Sequence, residues 1–248
     1  MNDLIFCTGF KGGIGKSFMT AAVVDYLSSK NDNIVVVDTD STIPDIFKTF
    51  KETYKTYACD LDLDEGWSSL FSICEEHKDS QVVVNSAAGA DKTFIQNIKH
   101  IELASEILER RLISFFMLND EKDSLNQLDK YYEATYGIAK PRMEVLITGI
   151  YEPTYGIANH RMAVVKNGYF GADAVFDVYN TSNLKAKIEQ GGCVSYYLAA
   201  LAPHVRQKIK LERKSFADAA NILSFGDRIF LDAWRNKVHA FLGGFFDA

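Results

Sequence analysis

The sequence predicts an α/β fold built on a mostly parallel β-sheet, and three stretches carry that prediction. An apolar run, Leu4-Ile-Phe-Cys-Thr8, breaks into glycines at Gly9, Gly12, Gly13 and Gly15 and restarts as a helical pattern, in the order strand, loop, helix. Ile34-Val-Val-Val37 and Gln81-Val-Val-Val84 are continuous β-branched runs, as expected of strands buried on both faces. With 248 residues, 47% of them hydrophobic, the chain can bury a sizeable core as one domain spanning residues 1–248.

The loop reads Lys11-Gly-Gly-Ile-Gly-Lys-Ser17. Glycines there let backbone N–H groups turn inward around phosphate oxygens, and the helix that follows adds the partial positive charge of its N-terminus. Lys16 would reach the β- and γ-phosphates, and the Ser17 hydroxyl would ligate Mg²⁺. Phe10 stands where the ordinary G-x-x-x-x-G-K-[ST] pattern has its first glycine. The run instead resembles the deviant Walker A motif, K-G-G-x-G-K-[ST], of the ParA/MinD family.

That resemblance implies a doubly wound P-loop fold of the SIMIBI type, with helices on both faces of the sheet, and an ATP- and Mg²⁺-dependent homodimer. It makes Gly12, Gly13, Ile14, Gly15, Lys16, Ser17 and Phe18 the nucleotide-binding segment. Lys11 becomes the signature lysine that reaches the partner's ATP. Lys16, Lys11 and Asp40 form the expected catalytic set.

The second β-branched run ends in Asp38-Thr-Asp40, two carboxylates at the carboxyl end of a strand, where open α/β sheets bind ligands. By the same resemblance Asp38 belongs to the Mg²⁺ water shell and Asp40 positions the attacking water, although aspartates here also serve as helix caps. The third run ends in Asn85, where P-loop proteins carry the Walker B aspartate. An amide can accept from a metal-bound water but brings no charge, so Ser17, Asp38 and Asn85 are expected to hold Mg²⁺ weakly and turnover to be slow. A nucleotide-bound switch without turnover is the alternative.

Between these runs, Ser17–Ser29 has helical spacing closed by Lys30-Asn-Asp-Asn33, and Pro44 opens a short helix through Phe50. Asp60–Glu65 reads as a solvated loop, and Trp67–His77 as a helix with Leu70, Ile73 and Cys74 on one face. Thr93–Arg111 reads as one or two helices with Glu106, Glu109, Arg110 and Arg111 exposed. Leu112–Leu118 is a further strand, and Asp123-Ser124 caps a helix to about Tyr132.

Residues 132–143 and 151–162 match at nine of twelve positions, a local tandem duplication too short for a solenoid. Each copy leads into an apolar run, Val145–Ile147 and Ala163–Val165, expected to be strands. Asn167 ends the second run. By the same resemblance it is the candidate adenine reader, its amide offering donor and acceptor; a turn-forming Asn-Gly is the other reading. Ala174–Tyr179 reads as a strand, Ser182 opens a helix ending at Gly191-Gly192, and the part from about 182 to 248 reads as mostly helical.

That last part carries a basic cluster of His204, Arg206, Lys208, Lys210, Arg213 and Lys214. The resemblance suggests nonspecific DNA contacts through Lys208, Lys210, Arg213 and Lys214, where phosphates need only positive charge. A solvated helix face is the plainer reading. The final stripe, Phe230, Trp234, Val238, Phe241 and Phe245, could lie on a membrane as in MinD-like proteins. Its mixed charges favour docking on the core or on a protein partner.

Net charge is −6 and the pI about 5.4, too mild an acidity to exclude a local basic patch. The four cysteines are scattered without metal-ligand spacing, and none falls between Cys74 and Cys193, against an iron–sulfur reductase of the wider class. The N-terminus lacks the features of a signal peptide, and no apolar run approaches the ~18 residues of a membrane span, so a cytoplasmic protein is expected. Within the resembled class, Lys16-Ser17 and Asp38-Thr-Asp40 look most like ATPases of plasmid partition and conjugative transfer. A membrane-positioning ATPase and a nucleotide-gated scaffold are the other readings.

Overall fold

The computed structural model describes residues 2–40, 44–136 and 160–247. In chain order the elements are β1 (Asp3–Thr8), α1 (Lys16–Ser29), β2 (Ile34–Asp38), α2 (Asp45–Phe50), β3 (Lys55–Ala58), α3 (Asp64–Glu76) and β4 (Gln81–Asn85). Next come α4 (Ala90–Gln96), α5 (Ile98–Ile107), β5 (Arg111–Leu118), α6 (Lys122–Thr135) and β6 (His160–Asn167). Two 3₁₀ turns then lead to α7 (Asp177–Asn180), α8 (Asn183–Gln190), β7 (Val194–Leu198), α9 (Pro203–Leu211), α10 (Phe216–Ala219) and α11 (Phe225–Asp247).

The seven strands form one sheet in the order β3-β2-β4-β1-β5-β6-β7. Every pairing is parallel. Alternate residues of each central strand enter different cores. Ile5, Cys7, Val36, Val83 and Phe115 face the cluster that includes α1, α2 and α9–α11, whereas Leu4, Phe6, Val37, Val84 and Phe116 face the one that includes α3, α4 and α6. This two-sided burial is why the runs are continuous rather than alternating, as a doubly wound sheet demands.

β1 lies between β4 and β5, with β2–β4 on one side and β5–β7 on the other. A crevice therefore opens beyond its carboxyl end, at the topological switch point. The glycine loop is the segment that leaves β1 there.

Several expectations change. Ala174–Tyr179 is not a strand: it folds as a 3₁₀ turn over Asp173–Phe176 followed by α7. β3 and β7 are edge strands absent from the sequence reading. Their side chains are half exposed, so they lack the aliphatic run that marks the buried strands. Glu121, not Asp123 or Ser124, precedes α6, and its side chain makes no cap bond; Asp123 sits in the first turn. Ser182 does cap α8, accepting from the Lys185 N–H.

Arg110 is buried rather than exposed. Its guanidinium donates to the carbonyls of Asp3, Cys74, His77 and Ser80, gathering the end of α3 and the turn after it. Arg111 is bidentate to Asp3 across β1 and β5. The strand of the second duplicated copy is β6; the first copy's strand at Val145–Ile147, and most of the duplication, lie outside the described residues.

The long helix α11 docks on the core, as its charges suggested. Trp234 is buried, donates Nε1–H to the Ala199 carbonyl at 2.7 Å and packs on Phe18 and Phe216. Phe230 leaves the expected stripe and is mostly exposed beside His204. Deeper in the helix Arg235 clasps Asp25 of α1 bidentately at 2.8 Å, and His239 joins the same carboxylate at 2.7 Å.

Candidate functional site

The loop between β1 and α1 takes its shape from backbone that side chains resist. Gly13 has φ +75° and Gly15 φ +109°, and a Cβ on Gly15 would stand 2.4 Å from Asn167 Nδ2. Only glycine fits at that point. Asn167, at the carboxyl end of β6, donates its amide to the Ile14 carbonyl at 2.8 Å and accepts from the Tyr169 N–H at 3.0 Å. Its amide thus braces the loop, while the adenine reading put forward for it stays a proposal.

Within the loop, Lys16 is almost wholly buried and donates Nζ–H to the Lys11 carbonyl at 2.8 Å, folding over the loop's own mouth. Gly12, Gly13 and Ser17 are exposed. Ile14 and Phe18 turn inward, Phe18 against Phe216 and Trp234, so these two can offer a ligand only their backbone. The N-terminus of α1, which starts at Lys16, adds its partial positive charge at the end of the loop. Lys11 is paired with Glu121, from the turn after β5. The bond to Glu121 raises the Lys11 pKa, and Lys11 in turn holds Glu121 below the usual carboxylate range.

Beside the loop, parallel register puts Asp38 opposite Asn85 at the ends of β2 and β4. Asp38 Oδ1 accepts from Asn85 Nδ2 at 2.8 Å, and its Oδ2 from the Phe47 N–H of α2 at 2.9 Å. Burial pushes the Asp38 pKa up, opposed by those two bonds. Asn85 Oδ1 accepts from Thr20 Oγ1 of α1 at 3.2 Å. Thr39 Oγ1 donates to the Asn85 carbonyl at 3.1 Å and accepts from the Ala87 N–H at 2.8 Å, lacing β2 to the segment after β4. Asp40 follows at the rim, half-buried, its N–H directed to Asp38 Oδ1 at 3.3 Å.

The residues expected to hold phosphate and cation, Lys11, the glycines, Lys16, Ser17, Asp38, Asp40 and Asn85, therefore all lie at or beyond the carboxyl ends of the adjacent strands β1, β2 and β4. Thr20, Thr39 and Glu121 belong to the same cluster and were missed. Thr20 lies one helical turn past Lys16, and Glu121 follows the carboxyl end of a strand adjacent to β1, signals that motif reading does not use. The basic residues of α9 and the turn after it lie on a largely exposed surface, where Arg206 stacks over the Tyr169 ring at 4.1 Å. There Lys210, Arg213 and Lys214 face solvent, and Lys208 is held by Asp227 at 2.6 Å.

A parallel sheet with this loop at its switch point defines a P-loop nucleotide-binding protein. Residues 5–151 match the CobQ/CobB/MinD/ParA nucleotide-binding domain, and the chain belongs to that family. It is 32% identical over 236 residues to protein MobD of Acidithiobacillus ferrooxidans, covering 95% of this chain and 94% of the relative. Among solved structures it is similar to the septum site-determining protein MinD of Pyrococcus horikoshii complexed with Mg-ADP, at TM-score 0.53 and 14% identity, covering 96% of each chain. The MinC:MinD cell division complex of Aquifex aeolicus gives TM-score 0.52 and 12% identity over 94% of each chain. Among the described residues no helix is long and apolar enough to cross a membrane.

Proposed function

We propose that the chain binds ATP with Mg²⁺ in the crevice beyond β1 and forms a nucleotide-dependent homodimer that serves as a switch in DNA partition or conjugative transfer. The observation that carries this is that the glycine loop with Lys11, Lys16 and Ser17, the end of β2 with Asp38 and Asp40, and the end of β4 with Asn85 lie at the same carboxyl edge of the sheet. The relative MobD matches nearly the whole chain, so the likeness extends well past the loop.

The residues fit the ligand. Positive-φ glycines leave an exposed loop, and Lys16 rests on a carbonyl that it would exchange for phosphate oxygens. Ser17 and Asp38 would hold the cation, Ser17 directly and Asp38 through water. Bound Mg²⁺ would offset charge developing on the transferred phosphoryl group. Asp40 at the rim would orient the attacking water. Lys11, released from Glu121, would reach the partner's nucleotide. With a neutral amide at residue 85, turnover is slow.

Light scattering after size exclusion tests the reading. The natural chain should be dimeric only with ATP and Mg²⁺, Lys11→Ala monomeric throughout, and Asp40→Ala dimeric but without turnover. A monomer under every condition overturns the switch. Exposed Lys210, Arg213 and Lys214, with Lys208, would contact DNA phosphates in the ATP state, with an affinity falling steeply with salt. Neutralising all four should abolish that affinity.

A further inference from the structure

Asn85 is only 2% exposed and Asp38 1%, so neither relies on water for its hydrogen bonds. A carboxylate only accepts. Asp38 Oδ1 takes the Asp40 N–H at 3.3 Å and, closer, the Asn85 amide nitrogen at 2.8 Å, while the amide oxygen faces the Thr20 hydroxyl at 3.2 Å, a hydroxyl that also lies 3.1 Å from the Lys16 carbonyl. With Oδ2 on the Phe47 N–H, the Asp38 carboxylate is gripped from β4 and from α2. Through Thr20 the grip continues to α1, the helix that the glycine loop opens.

We propose that Asn85 is a positioning residue for Asp38: its amide fixes the carboxylate and joins it to α1, so the pocket is assembled before any cation arrives. Asparagine at the end of β4 is then a fitted part of this site, and restoring an aspartate there would harm it. Asn85→Asp sets two carboxylate oxygens against each other at hydrogen-bond distance, with no donor between them. A cation could relieve that contact; the natural chain has no such need. The inference rests on the proposed nucleotide site only in its second arm.

The first arm is thermal unfolding of the full nucleotide-free chain in EDTA, comparing Asn85→Asp, Asp38→Asn and the double exchange. Asn85→Asp should melt about 5 °C or more below the natural chain. The double exchange, which returns one amide and one carboxylate to the pair, should recover most of that loss. If Asn85→Asp does not fold, recovery by the double exchange still supports the assignment. An Asn85→Asp variant that melts with the natural chain, or a double exchange no better than the single variant, overturns it.

The second arm measures binding of a fluorescent ATP analogue with Mg²⁺ and with EDTA. Asn85→Asp should depend on Mg²⁺ about tenfold more steeply than the natural chain; equal dependence overturns the assignment. A natural chain that binds no nucleotide in either buffer overturns the proposed function instead, and the melting arm still decides the role of Asn85.

Discussion

Lys11 and Glu121 are ion-paired within one chain, joining the head of the glycine loop to the turn after β5. Glu121 is held there by its own N–H, which donates to Asn119 Oδ1 at 3.3 Å, an oxygen that also receives the Ser124 hydroxyl. On the proposed reading, Lys11 has to leave this carboxylate before it reaches a partner's nucleotide. Glu121→Gln should therefore lower the ATP concentration at which dimers form, by about two- to threefold, since exposed pairs are weak. Sedimentation against ATP concentration measures it; dimerisation made harder would show that Glu121 assists the interface. Because Lys11 depresses the Glu121 pKa, the pair persists at neutral pH and is lost only as pH falls through that lowered value.

Burial at the start of β6 pushes His160 down to about 3, while its Nε2 lies 2.9 Å from Ser114 Oγ. In the unfolded chain the ring titrates near its ordinary ~6.5. Below that pH the unfolded state binds a proton that the native state does not. Stability is full above it and falls as pH drops toward 3, by up to ~1.4 kcal/mol per unit. Unfolding free energies from urea titrations at about pH 7 and about pH 5 should differ by up to ~2 kcal/mol more for the natural chain than for His160→Gln. Equal slopes would refute a neutral buried imidazole.

Arg110 supports four carbonyls from inside the protein, and burial lowers its pKa without displacing its charge. Arg110→Lys replaces a planar fork by a point donor that cannot reach all four. A loss of ~2–4 kcal/mol is expected in chemical denaturation. A change under ~1 kcal/mol would mean that the carbonyls find other donors.

Trp234→Ala should cost ~3–5 kcal/mol, because it empties the space between α1, α10 and α11 and removes the donor to Ala199. Phe230→Ser, on exposed surface, should cost no more than ~0.5 kcal/mol. The contrast separates a docked helix from a membrane-lying one. Loss of vesicle binding in Phe230→Ser, with Trp234→Ala remaining folded, would reverse the assignment.

The central strands were legible because burial on both faces leaves few polar positions: Ile34–Val37 and Val82–Val84 are β-branched and buried throughout. The loop was legible because its glycines and lysines serve a geometry local to the chain. Edges were not. β3 and β7 are half solvated and read as coil or helix, whereas Ala174–Tyr179 has strand-like composition but spends it on tight turns around the buried Phe176 and Tyr179. Glu121 joins the site through the sheet order, which brings distant segments together, and it is the same order that sets Asn85 against Thr20. Arg110 looked like surface charge because nothing local tells of four carbonyls converging on it.

The placement of β1 sets a timetable for the newborn chain. The loop hangs from a strand whose neighbours come much later: Leu4 pairs with Val82 and Asp3 with Arg111. During synthesis β1 and its glycines gain their first neighbour only with β4 and their second only once β5 has left the ribosome. The crevice beyond β1 is thus complete only after segments more than a hundred residues apart have paired, and those non-local pairings make it a slow step in folding.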